Sequence, residues 1–229
     1  SVFVGCGLGG TSLINANVAI EPDERIYAHF PAPLNDPETL KTHFDAARKM
    51  LGSNPLPNEQ NPPCLQAFKK VADGLDLPLE RPDINVTFSN GANHAGVPQK
   101  ACNHCGDCVS GCNVGAKNTV LMNYLPDAHA HGAQIFTGAE VTHLTRAGDR
   151  WVVHVGGRKL TADIVILAAG ALGSTEILLR SKTLSLSKQL GKNFSGNGDI
   201  WALGYNANIK DGDARMNVDG IGAGVHDPS

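Results

Sequence analysis

The sequence lacks a run of basic residues, a long apolar run and a recognisable secretion signal. Its 229 residues include 19 Lys and Arg against 22 Asp and Glu, for a net charge of -3, which is not the basic footprint of a nucleic-acid-binding protein. No apolar run approaches the roughly 20 residues that span a bilayer, and the N-terminus has no charged region followed by an apolar one. We therefore expect a globular protein with no transmembrane segment and no nucleic-acid partner.

The sequence also has no initiator methionine. It begins directly with an apolar stretch and a glycine run, SVFVGCGLGG, and it stops in the loop-like IGAGVHDPS. Neither end carries the caps or the completed pattern that mark the start or end of an element. We therefore expect this chain to be an internal segment of a longer protein.

Four of the six cysteines lie within eleven residues, at Cys102, Cys105, Cys108 and Cys112. The spacing C-x2-C-x2-C-x3-C is typical of a loop that wraps an iron-sulfur cluster, and it predicts these four residues as metal ligands. Asn113 stands where the ferredoxin run has proline, and in two-cluster ferredoxins the fourth cysteine binds the other cluster. Cys64 or Cys6 is therefore an alternative fourth ligand.

Two other interpretations of the cysteine run stay open. Structural zinc usually takes ligand pairs set about a dozen residues apart, whereas disulfides or buried thiols would merely stiffen the loop. His94 and His104 flank the run and are possible ligands, but a lone loop histidine is more often solvated. Clustered thiols that bind metal favour a reducing, cytoplasmic compartment.

A second candidate site is the glycine pattern G-x-G-x-x-G at the start of the chain, formed by Gly5, Gly7 and Gly10. A dinucleotide-binding fingerprint would need a helix after the third glycine, and TSLINANVAIEPDE has too many asparagines and β-branched residues to form one. The pattern instead predicts a turn that brings bare backbone close to a flat or anionic ligand. Asn15 and Asn17 are expected to supply hydrogen-bonding groups to that ligand.

Periodicity and turn signals predict helices and strands along the rest of the chain. The predicted helices are 37–51, 63–75, 119–132 and 174–181. The predicted strands are 83–88, 133–138, 140–146, 150–155 and 159–167, the last four forming a meander. Its final stretch, 164–168, is rich in Ile, Val and Leu and is predicted to be buried on both faces. The turn 170–174 that follows it is a predicted cofactor contact, because such turns are where phosphates bind.

Several of these segments resemble the glucose-methanol-choline oxidoreductase family, in particular its bacterial branch similar to cholesterol oxidase. The matching segments are GLGGTSLINANV, CGDCVSGCNVGAKNT, GAEVTHL, ADIVILAAGALGSTEILLRS and LGKNFSGNGD. The resemblance implies an α/β fold that is part of a glutathione-reductase-like FAD-binding fold, with a parallel strand and a β-meander, together with part of a substrate-binding or cap domain. It also implies hydride transfer from the CH-OH group of a small-molecule alcohol or sterol to FAD.

The resemblance further implies which residues meet the cofactor. The turn at the start of the chain would lie against the pyrophosphate and isoalloxazine, the backbone of Val141 would meet adenine, and the later glycine turn would pass beside the cofactor. The implied contacts are Gly9, Gly10, Thr11, Asn15, Ala16, Val18, Val141, Ala169, Gly170 and Thr175. No catalytic residue is assigned, because the family's ADP-binding motif is expected before residue 1 and its catalytic histidine beyond residue 229.

The resemblance divides the chain into four parts. Residues 1–24 form a flavin-contacting segment, 25–98 a helical cap on the substrate side, 99–195 the cysteine loop with the meander, and 196–229 the start of a substrate-domain sheet. His94 and His226 become candidate bases only if this chain turns over an alcohol by itself. An iron-sulfur electron-transfer module and a cofactor-free domain stapled by cysteines are the alternative functions, and the electron acceptor is not defined by the sequence.

Overall fold

The structure, a computed structural model, describes residues 4–57 and 63–196 of the chain, without the side chains of residues 63 and 64. Of these, residues up to 134 belong to one compact unit and residues 135–196 to another. The predicted substrate-domain sheet at 196–229 and His226 therefore lie outside the described residues, apart from residue 196 itself.

The first unit contains short helices and two small antiparallel sheets. Strand β1 pairs with β2, and β3 pairs with β4. The elements in chain order are a 3-10 helix Gly10–Leu13, β1 Val18–Ala19, α1 Glu24–Tyr27, α2 Pro37–Leu51, α3 Pro63–Leu75, β2 Asp83–Ile84, β3 Gly91–Ala92, β4 Pro98–Gln99, a second 3-10 helix Val120–Met122, and α4 Tyr124–Ala130. The predicted bounds of α2 and α3 are confirmed.

Helix α2 has well-defined caps at both ends. The Asp36 carboxylate accepts a hydrogen bond of 3.1 Å from the backbone N-H of Thr39, an N-cap ahead of a proline in the first turn. Gly52 ends the helix in the left-handed region, at φ 57°. Arg48, in the last turn, donates to the carbonyl of Ala19 at 3.2 Å and forms an ion pair with Asp83. These bonds fasten α2 to the β1–β2 pair.

Two predictions in this unit are wrong in detail. The strand predicted at 83–88 is regular over only Asp83–Ile84, because the following residues bond individually to different loops; the backbone N-H of Thr87, for example, donates to Ala116. The helix predicted at 119–132 is broken at Asn123, whose backbone has φ -139° and whose side chain caps α4. The buried centre here is small: Ile84, Val86 and Ala116, with Cys102 and Cys112 packed against it.

The second unit is an antiparallel meander with one helix. Strands β5 Val141–Ala147, β6 Arg150–Val155 and β7 Arg158–Ala162 lie in that order, and α5 is Gly170–Arg180. Ser181, at the end of α5, accepts a hydrogen bond of 2.8 Å from the backbone N-H of Leu144 in β5. The meander is therefore confirmed for three of its four predicted strands, with β6 at the predicted bounds.

Three predictions of secondary structure and burial around this unit are wrong. Residues 133–138 form no strand, and β7 stops at Ala162 rather than continuing to 167. Ile164 and Ile166 are 80% and 86% exposed, not buried on both faces. A parallel strand needs hydrogen-bonded neighbours and a layer on each face, and no strand in the described residues pairs with this stretch. Helix α5 begins at Gly170, four residues earlier than predicted, because GALG continues directly into the helix.

Candidate functional site

The first part of the candidate site is the glycine turn, the segment of residues 7–13 that ends in the first 3-10 helix. The backbone N-H of Gly10 donates to the carbonyl of Gly7 at 3.0 Å. Gly10 has φ 57°, and a Cβ built on it would meet no atom within 4 Å. Thr11, next to it, is exposed. The turn therefore presents open backbone and a hydroxyl on one surface, which a flat or anionic molecule could approach closely.

The segment that follows separates two asparagines that the sequence had grouped together. Asn15 is exposed, and its side-chain oxygen accepts a hydrogen bond of 3.3 Å from the backbone N-H of Asn17. Asn17 itself is only 2% exposed, takes the left-handed conformation at φ 59°, and its side-chain amide is buried without a partner. The expectation that Asn17 supplies hydrogen-bonding groups to a ligand therefore stays a prediction, for a side chain that is buried and makes no hydrogen bond within the described residues. Ala16 is half-buried, and Val18 pairs with Ile84 in the β1–β2 sheet.

The glycine turn and the residues just after it accept hydrogen bonds from Lys117 of the GAKNT motif and from Val120, which follows that motif. Both donors lie more than one hundred positions later in the chain. Lys117 donates from Nζ to the carbonyls of Leu13 at 3.1 Å and Asn15 at 2.7 Å. The backbone N-H of Val120 donates to the hydroxyl of Ser12 at 3.0 Å, and that hydroxyl donates to Gly9 at 2.6 Å. Two of the motifs that carry the resemblance are thus parts of one hydrogen-bonded structure.

The cysteine run forms a loop beside this structure. Cys102 and Cys112 pack against the Ile84–Val86–Ala116 centre, and the backbone N-H of His104 lies 3.4 Å from the sulfur of Cys102. All four cysteines of the run, and the exposed Cys6, are free thiols. The side chain of Cys64, the other proposed ligand, lies outside the described residues.

The thiols of the loop differ in their surroundings. Burial raises the pKa of Cys108 to about 11, and nearby Cys102 adds to this effect. Burial also raises the pKa of Cys102. At Cys112 burial acts in the same direction, but hydrogen bonds from the backbone N-H groups of residues 114–117 outweigh it and hold the pKa of this thiol below its usual range. Of these three thiols, Cys112 is therefore the one whose surroundings favour the thiolate.

The predicted metal site is not assembled in this loop. Within residues 4–57 and 63–196, no three side chains of His, Cys, Asp or Glu are placed to hold a metal ion. His94 is exposed, with its Nε2 atom 3.1 Å from the sulfur of Met50. His104 is exposed and stacks on Phe88, with ring centroids 5.8 Å apart. Ligation by the four cysteines would require the thiols to converge further.

The second part of the candidate site lies at the start of α5. Gly170 has φ 75°, and a Cβ built on it would meet no atom within 4 Å. The hydroxyl of Ser174 accepts a hydrogen bond of 3.0 Å from the backbone N-H of Ala169. Thr175 faces residue 191, where an added Cβ would lie 3.3 Å from the Thr175 methyl carbon. An open groove runs between α5 and residues 189–195 and includes Gly170 and Thr175 in its lining.

Val141, predicted to meet adenine, lies at the opposite end of α5 from Gly170. It begins β5, and Arg180 at the end of the helix donates to the carbonyl of neighbouring Thr142 at 2.8 Å. Ten residues of helix separate Gly170 from Arg180, a length of about 15 Å. One molecule that touched both Val141 and Gly170 would therefore have to be extended.

The implied cofactor contacts thus fall into two sets, one in each unit, and in the second set Val141 lies apart from the other three. The first set is Gly9, Gly10, Thr11, Asn15, Ala16 and Val18, and the second is Val141, Ala169, Gly170 and Thr175. Lys117 is the residue of this region that sequence reasoning missed. A single lysine among the small and polar residues of VGAKNT was the available signal.

No helix in the described ranges has both the length and the apolar character needed to cross a bilayer.

Comparison with known proteins gives a consistent result. A family model described as GMC oxidoreductase matches residues 1–197. A cholesterol oxidase of Mycobacterium tuberculosis is 32% identical over 225 residues, covering 83% of this chain and 38% of that protein. An uncharacterized GMC-type oxidoreductase of the same organism is 32% identical over 208 residues, covering 84% and 30%. A cholesterol oxidase of Acinetobacter baumannii is 25% identical over 261 residues, covering 99% and 46%. The chain therefore spans less than half the length of each of these relatives.

Proposed function

The chain belongs to the GMC oxidoreductase family, and on that premise we propose that it forms the flavin-binding part of an FAD-dependent oxidoreductase acting on the CH-OH group of an alcohol or sterol. The observation that carries the proposal is the open backbone of Gly10 and Gly170, in two segments that the family match covers. A sterol is favoured as substrate because two of the relatives are cholesterol oxidases.

The residues around these two glycines suit a large, partly anionic cofactor. In the first unit, Gly9 and Gly10 offer backbone, Thr11 and Asn15 are exposed polar side chains, and Ala16 and Val18 continue the same segment. In the second unit, α5 begins at Gly170, and the first turn of a helix has backbone N-H groups without intrahelical partners, which favour phosphate oxygens. The backbone N-H of Ala169 is already bonded to the Ser174 hydroxyl. We propose that these groups hold FAD, with Thr175 beside it and the Val141 backbone at the adenine.

FAD, when bound, would supply the hydride acceptor for oxidation of the alcohol. The part of this chain is to bind and orient it, because geometry that is set before the substrate arrives is a large share of enzymatic rate enhancement. No residue of the chain is assigned as the base that removes the hydroxyl proton. The electron acceptor is likewise left unassigned.

The helices of the first unit fit a place on the substrate side. Phe68, Val71 and Leu75 lie at helical spacing on α3 and are all exposed. An apolar helix face of this kind would suit a sterol better than a sugar or a short alcohol. We propose that residues 25–98 form part of a cap over the substrate, that residues 1–24 and 99–195 belong to the FAD-binding fold, and that 196–229 begin the substrate-domain sheet.

The test is a matched pair of glycine substitutions in the purified flavoprotein. Gly10→Val should remove FAD, because a branched side chain would fill the open approach to the backbone. Gly148→Val is the control: Gly148 has φ 59°, also has open space around it, and lies in the β5–β6 turn, which belongs to neither glycine segment. Both variants carry similar backbone strain. Stoichiometric FAD in Gly10→Val, or equal loss in both variants, would sink the assignment.

We also propose, as a second function, that the cysteine run takes an iron-sulfur cluster for electron transfer. Four free thiols at this spacing favour the idea, although the loop would have to close around the cluster. Protein purified without oxygen should contain iron and acid-labile sulfide in equal amounts. Zinc alone would instead indicate a structural metal site, and disulfides formed under reductant would indicate a stapled loop.

A further inference from the structure

Lys117 is a buried cation without an acidic partner. It is 2% exposed, and no carboxylate in the described residues lies within ion-pair distance of it. Burial of a charge is costly unless its hydrogen bonds are made. Burial accordingly lowers the pKa of Lys117, while Cys108 and Cys112 act in the opposite direction.

The three protons of the ammonium group are used on three backbone carbonyls. Two belong to the segment of implied flavin contacts: Leu13, at the end of the glycine turn, at 3.1 Å, and Asn15, just after the turn, at 2.7 Å. The third is Cys108, in the middle of the cysteine run, at 2.8 Å. A single atom, Nζ of Lys117, therefore links the carbonyls of Leu13 and Asn15 to the carbonyl of Cys108.

This arrangement has a consequence beyond simple packing. Hydrogen bonds to a charged donor are about twice as strong as neutral ones, and here three of them converge on one atom. Movement of the cysteine loop away from Nζ would leave the ammonium under-satisfied and would loosen its hold on residues 13 and 15. The converse also holds, since coupling between two sites is reciprocal.

We propose that Lys117 is a positioning residue that couples the cysteine loop, residues 102–112, to the glycine turn and the asparagine segment after it, residues 7–18. A molecule that orders one of the two segments would therefore also order the other. Part of this inference, the identity of FAD as that molecule, rests on the proposed function; the link between the two segments does not.

The test is hydrogen-deuterium exchange, read by mass spectrometry on peptides from residues 7–18 and 102–112. In the absence of added FAD, Lys117→Met should speed exchange in both peptides together by at least about fivefold, because a coupling of about 1 kcal/mol corresponds to a factor of about five. Lys100→Met removes an exposed lysine two residues before the loop and should change neither. Lys117→Gln keeps two donors without the charge and should lie between the two, which provides a second variant if Lys117→Met does not fold.

A second arm adds FAD. In the wild type, FAD should slow exchange in residues 7–18 and also in 102–112; in Lys117→Met the second effect should disappear. The inference is overturned if Lys117→Met leaves both peptides at the wild-type rate, or if FAD still protects the cysteine loop without Lys117. Failure of the wild type to bind FAD would instead overturn the proposed function, and the arm without FAD would still test the link.

Discussion

The interior of residues 4–134 contains six buried polar side chains, whereas in residues 135–196 Ser181 is the only one described. In the first unit, Gln99, Lys117 and Asn85 cross-link loops that have little regular structure of their own. In the second, three strands satisfy their backbone groups on one another, and a few apolar residues fill the space under α5. The first unit thus depends on particular side-chain hydrogen bonds, and the second mainly on backbone pairing.

The difference predicts where a single polar substitution costs most. Gln99 donates from Nε2 to the carbonyl of Gly115 at 3.2 Å and to the side chain of Asn118 at 2.9 Å, and it accepts from Asn93 at 3.0 Å. Gln99→Leu would leave these partners unsatisfied, at 1–3 kcal/mol for each fully buried group, so we expect a loss of about 3 kcal/mol in the free energy of unfolding. Urea denaturation measures it.

The control is Gln134→Leu, which makes the same change at an exposed position. It should alter the free energy of unfolding by less than about 0.5 kcal/mol. Equal effects of the two substitutions would show that the polar cross-links do not dominate the first unit, and the contrast between the units would fail.

Ser181 should show a smaller effect in the second unit. It accepts from the Leu144 backbone at 2.8 Å and donates to the carbonyl of Ile177 at 2.8 Å. Ser181→Ala orphans one buried N-H, for an expected loss of about 1.5 kcal/mol, since the strand ladder remains intact. Ser187→Ala, at an exposed hydroxyl, is the matched comparison. A loss at Ser181 as large as that at Gln99 would mean that the meander is not the main support of its unit.

The smallest expected effect is a pH dependence confined to the meander. His143 and His154 stack across β5 and β6, with ring centroids 3.9 Å apart. Burial, with help from His143 and Lys159, lowers the pKa of His154 below its usual value. The unfolded chain therefore binds this proton more readily, so the stability contribution is present above about pH 6.5 and is lost as pH falls below that value.

Thermal unfolding between pH 8 and pH 5 would measure this dependence. His154→Gln should flatten the profile, whereas the control His129→Gln changes an exposed histidine of the first unit and should keep the wild-type profile. An identical acid slope in wild type and His154→Gln would place the sensitive group elsewhere.

Local patterns explain which elements the sequence could predict. Helices α2 and α3 were predicted to the residue, because proline, the capping signals and an amphipathic period all act within one segment. Strand β6 was predicted for the same reason, since alternation and flanking turns are local. The prediction that the stretch 164–168 is buried on both faces is wrong, because an apolar composition indicates only that a segment is suited to burial. Burial itself requires neighbouring strands and helices, which a local pattern does not supply.

The candidate site shows a similar limit. The cysteine spacing predicted that four thiols lie in one loop, but ligand geometry depends on distances that spacing does not fix. The role of Lys117 is not visible in the sequence, because the carbonyls that it bonds, those of Leu13 and Asn15, lie more than one hundred positions earlier in the chain. Asn15 and Asn17 look equivalent in sequence, whereas in the structure Asn15 is exposed and Asn17 is buried with a left-handed backbone.

The exposed stretch that contains Ile164 and Ile166 affects how this chain is expected to behave when it is expressed. Apolar and free of charge over IVILAA, it has the composition of segments that add to one another edge to edge and seed aggregates. Newly made chains with this stretch uncovered would be recognised by chaperones that bind short apolar peptides. Yield during expression is therefore expected to depend on chaperone supply and on low temperature more than on the strength of the folded interior.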